Sequence, residues 1–510
     1  MTDAVGPTTS APPSGGAAEP YRWRWVALFV ILAAEVMDLL DSLVTNIAAP
    51  AIRADIGGGE STIQWLGAAY TLAMAIGLIT GGRLGDIFGR RRMFMIGAAG
   101  FTFGSLACGL AQEPWQLVAA RVLQGLLGAV MLPQGLGIMK EIFSPKEQGA
   151  AFGMFGPVMG LSTVGGPILA GWLIDADFGG TGWRMIFLIN IPLGLFAFVG
   201  GRVFLPAQGH GPTVRLDLLG ALLAALGAAL VIYPLVQGRE HDWPLWAFAL
   251  LAVGVAVFGL FGWYEARRKA LGADPLVEPS LFAKRGFSGG MALGLVFFTA
   301  MTGFWLTFSL YTQLGLHYSA FKSGLTGIPS SIGMVIAFGA AQALQKYGRK
   351  VMHAGLVVML AGVLGLMYTL HSQGAGVTPW EMVPSLAVSG LGMGLVMAPF
   401  FGMVLASVEV HETGSASGTL TSVQQLGAAL GSAILGTVFF ERLKSADFAS
   451  AEQVTLWAEV GLLVVVFAAI FLLPMHGRPE HEGGEDGEDG EDGGPGEEGA
   501  LRKEGEHQPA

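Results

Sequence analysis

The sequence carries very little charge for its length. Of 510 residues, 13% are charged and 52% are hydrophobic, whereas a soluble domain carries about a quarter charged residues. This shortage excludes an ordinary soluble protein. Fourteen apolar runs are each about 20 residues long, enough to cross a bilayer as a helix, and the short alternating strands of a β-barrel are not seen. The sequence therefore predicts an all-α, polytopic membrane protein with 14 transmembrane helices.

Several chemical motifs are also missing. Cys108 is the only cysteine, so no internal disulfide can form. The chain has no Gly-x-x-x-x-Gly-Lys-Ser/Thr phosphate loop and no His-Glu-x-x-His metal motif. The glycine-rich stretch 390–394 lies inside an apolar run and is a poor nucleotide site. We therefore expect a protein that is not an enzyme, needs no metal or cofactor, and binds no nucleic acid.

Both ends of the chain differ in composition from the rest. Residues 1–23 are rich in Pro, Gly, Ala and Thr and lack the basic start and short apolar core of a signal peptide. They predict a disordered cytoplasmic tail. Residues 475–510 form an acidic, low-complexity tail that accounts for most of the net charge of −10. That net charge consequently says little about the folded part.

A repeated motif predicts two related halves. "GRLGDIFGRRRM" at 82–93 resembles "AQALQKYGRKVM" at 341–352, with Gln345 opposite Asp86. Duplication predicts a 6+2+6 arrangement: a six-helix half at 24–206, an inserted helix pair and cytoplasmic linker at 207–286, and a second six-helix half at 287–474. Parallel repeats of this kind occur in transporters whose site lies between the halves. The alternative is a chance match of a short basic loop.

The basic residues predict an orientation. With the N-terminus in the cytoplasm, 18 Lys and Arg residues lie in cytoplasmic segments and 6 in outer loops. This asymmetry follows the positive-inside rule. We expect both termini in the cytoplasm and an even number of crossings.

Three acids interrupt the first apolar run. Glu35, Asp38 and Asp41 spread over about 120° of one helix face at 100° per residue, and each costs about 2.5 to 3.5 kcal/mol at the centre of a membrane helix. They predict proton-binding groups facing the bundle interior; the alternative is a set of structural acids hydrogen-bonded to neighbouring helices. Arg121, deep in the fourth run, would regulate these acids, or else form a fixed ion pair.

The motifs resemble the Major Facilitator Superfamily, and more narrowly its fourteen-helix drug:proton antiporter family, over about 24–474. The matching segments are "LDSLVTNIAAPAI" (40–52), "QWLGAAYTLAMAIGLITGGRLGDIFGRRR" (64–92), "RVLQGLLGA" (121–129), "WRMIFLINIPLG" (183–194) and "SGTLTSVQQLGAALGSAILGTVF" (417–439). Asp41 is the acid of the first-helix motif and Arg121 begins the fourth. The resemblance ranks Asp41 first among the proton sites. Asp38 comes second because it lies near the middle of the membrane core, and Glu35, on the same face, is a proton site, a contact for substrate charge or a structural group.

The resemblance also implies a conformational switch and a transport direction. In the switch, Asp86 would face the start of a helix in the other half, near 414–418, and the loop residues Gly82, Gly89, Arg90 and Arg91 would complete it. The antiporter pattern on the fifth helix is matched by Gly153, Ser162, Gly166, Pro167 and Gly171. Ser162 and Ala170 replace two of its glycines. Export in exchange for protons is implied.

We accordingly expect a proton-driven exporter of lipophilic, cationic drugs that works by alternating access as a monomer in the bacterial cytoplasmic membrane. Its partners would be a small-molecule substrate, protons and the lipid bilayer, and the proton gradient would supply the energy. Aromatic side chains are predicted to line the substrate cavity: Tyr70, Phe304, Trp305, Phe308 and Tyr311. The alternatives are export of an endogenous metabolite or antibiotic, specific uptake by symport, and a membrane receptor or scaffold that moves no cargo.

Overall fold

A computed structural model describes most of the chain between residues 21 and 475. The described residues are 21–144, 147, 151, 154–206, 217–238, 241–273, 275–344, 347–405, 408 and 413–475. All regular structure in these ranges is helical, and no strand occurs among them. Eleven helices in this part of the chain are long and apolar enough to cross a membrane. The fold is therefore all-α and polytopic, as predicted.

The long helices follow the apolar runs closely. Their bounds are α1 Arg24–Ile56, α2 Glu60–Phe88, α3 Arg90–Leu110, α4 Pro114–Ile142, α5 Phe155–Ala176, α6 Asn190–Phe204, α7 Leu218–Gln237, α8 Leu245–Ala270, α9 Arg285–Leu310, α10 Ile328–Leu344, α11 Arg349–Gln373, α12 Pro379–Leu405, α13 Thr413–Leu443 and α14 Phe448–Ala469. Short helices Met185–Leu188, Pro279–Ala283 and Ala320–Thr326 precede α6, α9 and α10, and a π-helical turn, Tyr311–Gly315, continues α9.

Helices α1–α6 and α9–α14 form two groups with the same internal packing. In the first group, α4 packs on α2 and α3, α6 on α1 and α3, and α5 on α1. In the second group, α12 packs on α10 and α11, α14 on α9 and α11, and α13 on α9. Each of these contacts in the first group therefore has a counterpart in the second.

The repeated basic loop performs the same structural task in both groups. Gly89 and Gly348 both have positive φ, at 90° and 54°, a conformation that glycine adopts without steric penalty. After Gly89, Arg91 donates to the carbonyl of Arg202 near the end of α6. After Gly348, Arg349 Nη1 donates to the carbonyls of Phe471 and Leu473 beyond α14, at 3.1 and 2.9 Å. In each group an arginine thus satisfies carbonyls at the end of the last helix.

The pair α7 and α8 lies against the seam between the two groups. Helix α7 packs on both α2 and α13, whereas α8 packs mainly on α7. Ala68 and Leu72 of α2 form one buried cluster with Ile232 of α7 and Ala429 of α13, among others. Thr437 Oγ1 of α13 donates to the carbonyl of Leu235 of α7 at 2.8 Å. The pair therefore covers the line along which the two groups meet.

Polar contacts between the two groups concentrate toward the end where α1 stops and α2 begins. Gln64 Nε2 of α2 contacts the carbonyls of Ser432 and Ala433 at 3.3 and 3.1 Å and Thr437 Oγ1 at 3.2 Å. Ser309 and Gln313 bond to backbone carbonyls of α1, as described below. We call this end of the molecule the α1–α2 end; it is the end predicted to face the outside.

Gln64→Ala is expected to loosen this closure. The substitution removes the side-chain amide that bonds to α13 at three places, a loss of about 1 to 2 kcal/mol that changes a two-state population about 5- to 30-fold. The measurement is labelling of Ser432→Cys by an impermeant maleimide added outside whole cells, in a Cys108→Ala background. We expect faster labelling by that factor.

Gln112→Ala is the matched control, because Gln112 is an exposed amide in the connection between α3 and α4 at the same end. It should leave the labelling rate unchanged. An equal rate in the Gln64→Ala and Gln112→Ala proteins would show that Gln64 does not hold the groups together.

Candidate functional site

Asp41 and Arg121 form a buried ion pair in the first group of helices. Both side chains are shielded from solvent, with 0% and 1% of their surface exposed. Arg121 of α4 donates through Nη1 to Asp41 Oδ2 and through Nε to the carbonyl of Leu66 at 3.1 Å. Its guanidinium carbon also lies 4.1 Å from the centre of the Tyr70 ring. The arginine is therefore paired, hydrogen-bonded and stacked, which is the arrangement a buried cation requires.

Three neutral polar side chains complete the surroundings of Asp41. Its second oxygen, Oδ1, accepts hydrogen bonds from Gln124 Nε2 and Asn190 Nδ2, both at 2.8 Å. Gln124 also donates to Ser105 Oγ at 2.8 Å and accepts from Arg121 Nη1 at 2.8 Å. Both oxygens of Asp41 are consequently engaged, and the network joins α1, α3, α4 and α6.

Asp38 has a different environment although it lies less than one turn away on α1. Its Oδ1 accepts from the hydroxyl of Tyr70, and 6% of its surface is exposed. No cation bonds to it in the part of the chain described. Tyr70 is fully buried and lies between Asp38, through its hydroxyl, and Arg121, through its ring. The tyrosine therefore couples the two acids structurally.

Glu35 is the most accessible of the three acids. Its side chain is half-buried, and it makes no hydrogen bond or ion pair with any described residue. The three acids are thus not equivalent: Asp41 is neutralised by Arg121, Asp38 is held by a neutral donor, and Glu35 is unbound. The order of the acids in the sequence motif does not reveal this difference.

The residues of the predicted conformational switch are described only in part. The side chains of Asp86 and of Ser415, near the start of α13, lie outside the described part of the chain. Arg90 forms an ion pair with Glu141 of α4 at 3.2 Å, and Arg91 bonds to Arg202 as noted above. Gly89 ends α2 with its positive φ, and Gly82 faces Pro133 of α4. Both arginines therefore tie helices of the first group together.

The antiporter motif lies where α5 meets α1 and the second group. Gly153 lies outside the described residues, and Ser162 is buried. Gly166 faces Leu40 and Leu43 of α1. Gly171 packs so closely on Phe321 that a Cβ would collide with the backbone there, and Gly324 packs equally closely on the carbonyl of Pro167. Small residues thus permit backbone contact between the two groups.

The aromatic residues predicted for the substrate cavity divide into two places. Tyr70 belongs to the acid network of the first group. Phe304, Trp305 and Phe308 of α9 pack on one another, with ring centres 5.3 to 6.0 Å apart. Phe304, Phe308 and Tyr311 are at most 5% exposed, and Trp305 is partly buried against the same core. In this conformation the aromatic residues of α9 are packed side chains of the second group.

Sequence reasoning missed several polar residues of interest. Ser105, Gln124 and Asn190 touch the Asp41 network, but a neutral polar residue in an apolar run gives no strong signal by itself. Glu452 and Glu459 of α14 are also fully buried. Their signal was partly available: Glu459 is an acid inside the last apolar run, 455–474, and the argument used for Glu35, Asp38 and Asp41 applies to it, whereas Glu452 lies just before that run.

Comparisons with known proteins agree on one family. Residues 25–432 match the sequence profile described as Major Facilitator Superfamily. The chain is 50% identical over 456 residues to the "Probable actinorhodin transporter" of Streptomyces coelicolor, covering 88% of this chain and 78% of that one. It is 35% identical to "Puromycin resistance protein pur8" of Streptomyces alboniger, covering 85% of each chain. It is 32% identical to "Tetracenomycin C resistance and export protein" of Streptomyces glaucescens, covering 84% of this chain and 79% of that one.

Solved structures share the fold at low sequence identity. The crystal structure of a POT family transporter in complex with 5-aminolevulinic acid superposes with a TM-score of 0.64 at 15% identity, covering 89% of this chain and 97% of that one. The crystal structure of a peptide transporter POT in complex with sulfate gives 0.62 at 17% identity, with 91% and 98% covered. At these identities the likeness concerns the fold alone.

Proposed function

Because the chain belongs to the Major Facilitator Superfamily and is a transporter rather than an enzyme, we propose that it exports lipophilic antibiotics from the bacterial cytoplasm in exchange for protons. Under this proposal all 14 long helices cross the membrane in the 6+2+6 arrangement, with both termini in the cytoplasm. The observation that supports the proton coupling is the pair of buried acids on α1: Asp41 pairs with Arg121, whereas Asp38 bonds to no cation among the described residues.

Asp38 is the acid that exchanges the proton in this mechanism. A buried carboxylate without a cation is costly in a membrane interior, so protonation neutralises Asp38 at little expense to its contact with Tyr70. Asp41 is already neutralised by Arg121. When Asp38 ionises, its charge attracts the guanidinium that lies across the ring of Tyr70. Arg121 thereby links the charge of Asp38 to the ion pair at Asp41.

The structure corresponds to the state closed at the α1–α2 end, which under this proposal is the outside. The contacts of Gln64 and Gln313 with the opposite group and the close packing of Gly171 on Phe321 support that assignment. Alternating access then requires these contacts to separate while the packing inside each group persists. Outside protons reach Asp38 in the alternative state and leave to the cytoplasm from this one.

The substrate class rests on the relatives and on the accessible acid. The relatives named for actinorhodin, puromycin and tetracenomycin C support an antibiotic as cargo. Glu35, half-buried one turn before Asp38 on the same helix, would ionise when a positively charged group of the cargo binds beside it and would then pair with that group. A cationic, lipophilic compound would gain an ion pair there that a neutral one lacks.

Efflux from cells tests the substrate. The chain is expressed in a bacterial host whose own multidrug pumps are deleted, and the retained amounts of actinorhodin, puromycin, tetracenomycin C and a panel of lipophilic cations are measured with and without an uncoupler. We expect lower retention of at least one compound, restored by the uncoupler. Retention equal to that of the empty-vector host for every compound would contradict export of this class.

Glu35→Gln tests the preference for cations. The substitution keeps the size of the side chain and removes its charge. We expect weaker export of cationic compounds and unchanged export of neutral ones. Gln112→Glu, which changes the charge at an exposed position, is the control. It should alter neither the export of cationic compounds nor the export of neutral ones. Equal loss for cationic and neutral compounds would assign Glu35 a role unrelated to substrate charge.

A further inference from the structure

The second group of helices holds two acids that the mechanism above does not use. Glu452 and Glu459 lie on α14, 0% and 1% exposed, and two helical turns, or about 10 Å, separate them. None of their four carboxyl oxygens has a hydrogen-bond partner in the described part of the chain. An ionised carboxylate in such a place would be far too costly to persist.

The hydroxyl of Tyr311 lies near Glu452 and is equally unpartnered. Tyr311 is 1% exposed, its hydroxyl oxygen has no partner among the described residues, and its turn packs on α14, where Glu452 is a neighbouring titratable group. Thr307 of α9 also lies beside Glu452, while its own hydroxyl donates to the carbonyl of Phe304 at 3.3 Å. The site therefore combines an acid with a buried hydroxyl that still has hydrogen-bonding capacity.

Among the described residues, no cation bonds to either acid from the helices packed on α14, and His371 at the end of α11 is exposed. On α11, Arg349 and His353 contact the far end of α14 at Phe471. On α13, Glu441 and Arg442 are exposed at the α1–α2 end. Near Tyr311 the remaining titratable groups are Tyr318 and Asp447. A proton neutralises a buried carboxyl without added volume or further ligands.

Tyr311 belongs to the segment that closes the α1–α2 end. It begins the π-helical turn Tyr311–Gly315, a form that often marks functional positions. From the last turn of α9, Ser309 Oγ donates to the carbonyl of Asn46 at 3.0 Å, and from the π-helical turn Gln313 Nε2 donates to the carbonyl of Ile47 at 2.9 Å. The turn also packs on α14. One short segment therefore contacts both the buried acid and α1 of the opposite group.

We propose that Glu452 and Glu459 form a second proton-binding site whose protonation stabilises the closed α1–α2 end, and that Glu452 exchanges its proton with outside water only when the π-helical turn leaves α1 and that end opens. The inference rests on the proposed proton coupling and adds to it a site in the other group of helices. Protonated carboxyls favour the closed state seen here, because ionisation requires water that the packed turn keeps out. Release at high pH favours opening.

Infrared spectroscopy of the purified, full-length protein in lipid nanodiscs tests the protonation directly. The probe is the proton alone, titrated from pH 5 to pH 9, and the signal is the carbonyl band of protonated carboxylic acids. We expect Glu452→Gln and Glu459→Gln each to remove part of this band at pH 7, and Glu441→Gln, at an exposed position of α13, to leave it intact. An unchanged band in the Glu452→Gln/Glu459→Gln protein would overturn the proposal.

Distances between spin labels test the link to opening. Labels at Gln112→Cys and Gln373→Cys, both exposed at the α1–α2 end and one in each group, are measured in a Cys108→Ala background without substrate. The parent should shift to longer distances as pH rises, and Glu452→Gln should stay short throughout. A Glu452→Gln protein that opens with the same midpoint as the parent would overturn the link. Asp38→Asn is measured in the same assay. If its opening follows the pH dependence of the parent, the pH response belongs to Glu452 and not to Asp38, and the coupling at Asp38 is judged separately by efflux.

Discussion

Asp38→Asn is expected to abolish proton-driven export while the protein remains folded. The asparagine oxygen still accepts the hydrogen bond from Tyr70, and the ion pair of Asp41 with Arg121 is not touched. What disappears is the one buried acid on α1 that has no cation in this structure and therefore gains most from binding a proton. Uncoupler-sensitive efflux should fall to the level of the empty-vector host, with normal amounts of protein in the membrane.

Two comparisons make this result specific. Asp38→Glu keeps an acid on the same face of α1 and should retain measurable efflux, whereas Tyr70→Phe removes only the hydroxyl that bonds to Asp38 and should change the pH at which export is half-maximal. If Asp38→Asn exports as fast as the parent and remains sensitive to the uncoupler, another group carries the proton and the mechanism above is wrong.

Arg121→Met is expected to have the largest effect on stability. It leaves Asp41 buried without a cation among Gln124, Asn190 and Ser105, and breaking a buried pair on one side costs about 3 to 5 kcal/mol. It also removes the stacking on Tyr70. We expect a sharply lower midpoint of thermal unfolding in detergent, together with loss of export. Asp41→Leu, which leaves Arg121 unpaired, should be destabilised to a similar extent.

The double variant Asp41→Leu/Arg121→Met separates stability from transport. Replacing both members of a buried ion pair with apolar residues of similar volume is often neutral or stabilising, so the double variant should recover most of the midpoint lost by either single variant. Export should stay absent, because the partner that responds to Asp38 is gone. Recovery of both stability and export would show that the pair is a structural ion pair alone.

The helical architecture could be predicted from the sequence because the positions of apolar runs along the chain are enough to locate membrane-spanning helices. An apolar run of sufficient length must be a helix when no water is present to bond the backbone, and the charge-poor runs delimit α3 to α14 within seven residues at every end. The matched arginines after Gly89 and Gly348 were visible as a repeated motif. The packing position of α7 could not be predicted, because its apolar surface fits lipid and protein equally well.

The site could be predicted only as far as charge reveals it. Arg121 and the acids of α1 were conspicuous in the sequence. The pairing of Arg121 with Asp41 rather than Asp38 could not be predicted, because it depends on the relative rotation of α1 and α4. Gln124 and Asn190 were hidden for the same reason. Glu452 lies just outside the last apolar run and so gives a weaker signal than the acids of α1, and Tyr311, predicted to line the substrate cavity, has a buried hydroxyl in the turn that packs on α14.

Counter-movement of protons and substrate in liposomes tests the central claim most directly. Purified protein is reconstituted with a pH-sensitive dye inside, in the absence of any pH gradient, and the exported antibiotic identified in cells is added outside. Exchange predicts proton movement opposite to the substrate, detected as an internal pH change that Asp38→Asn eliminates while substrate binding persists. Uptake of the substrate into the liposomes with no change in internal pH would contradict the account.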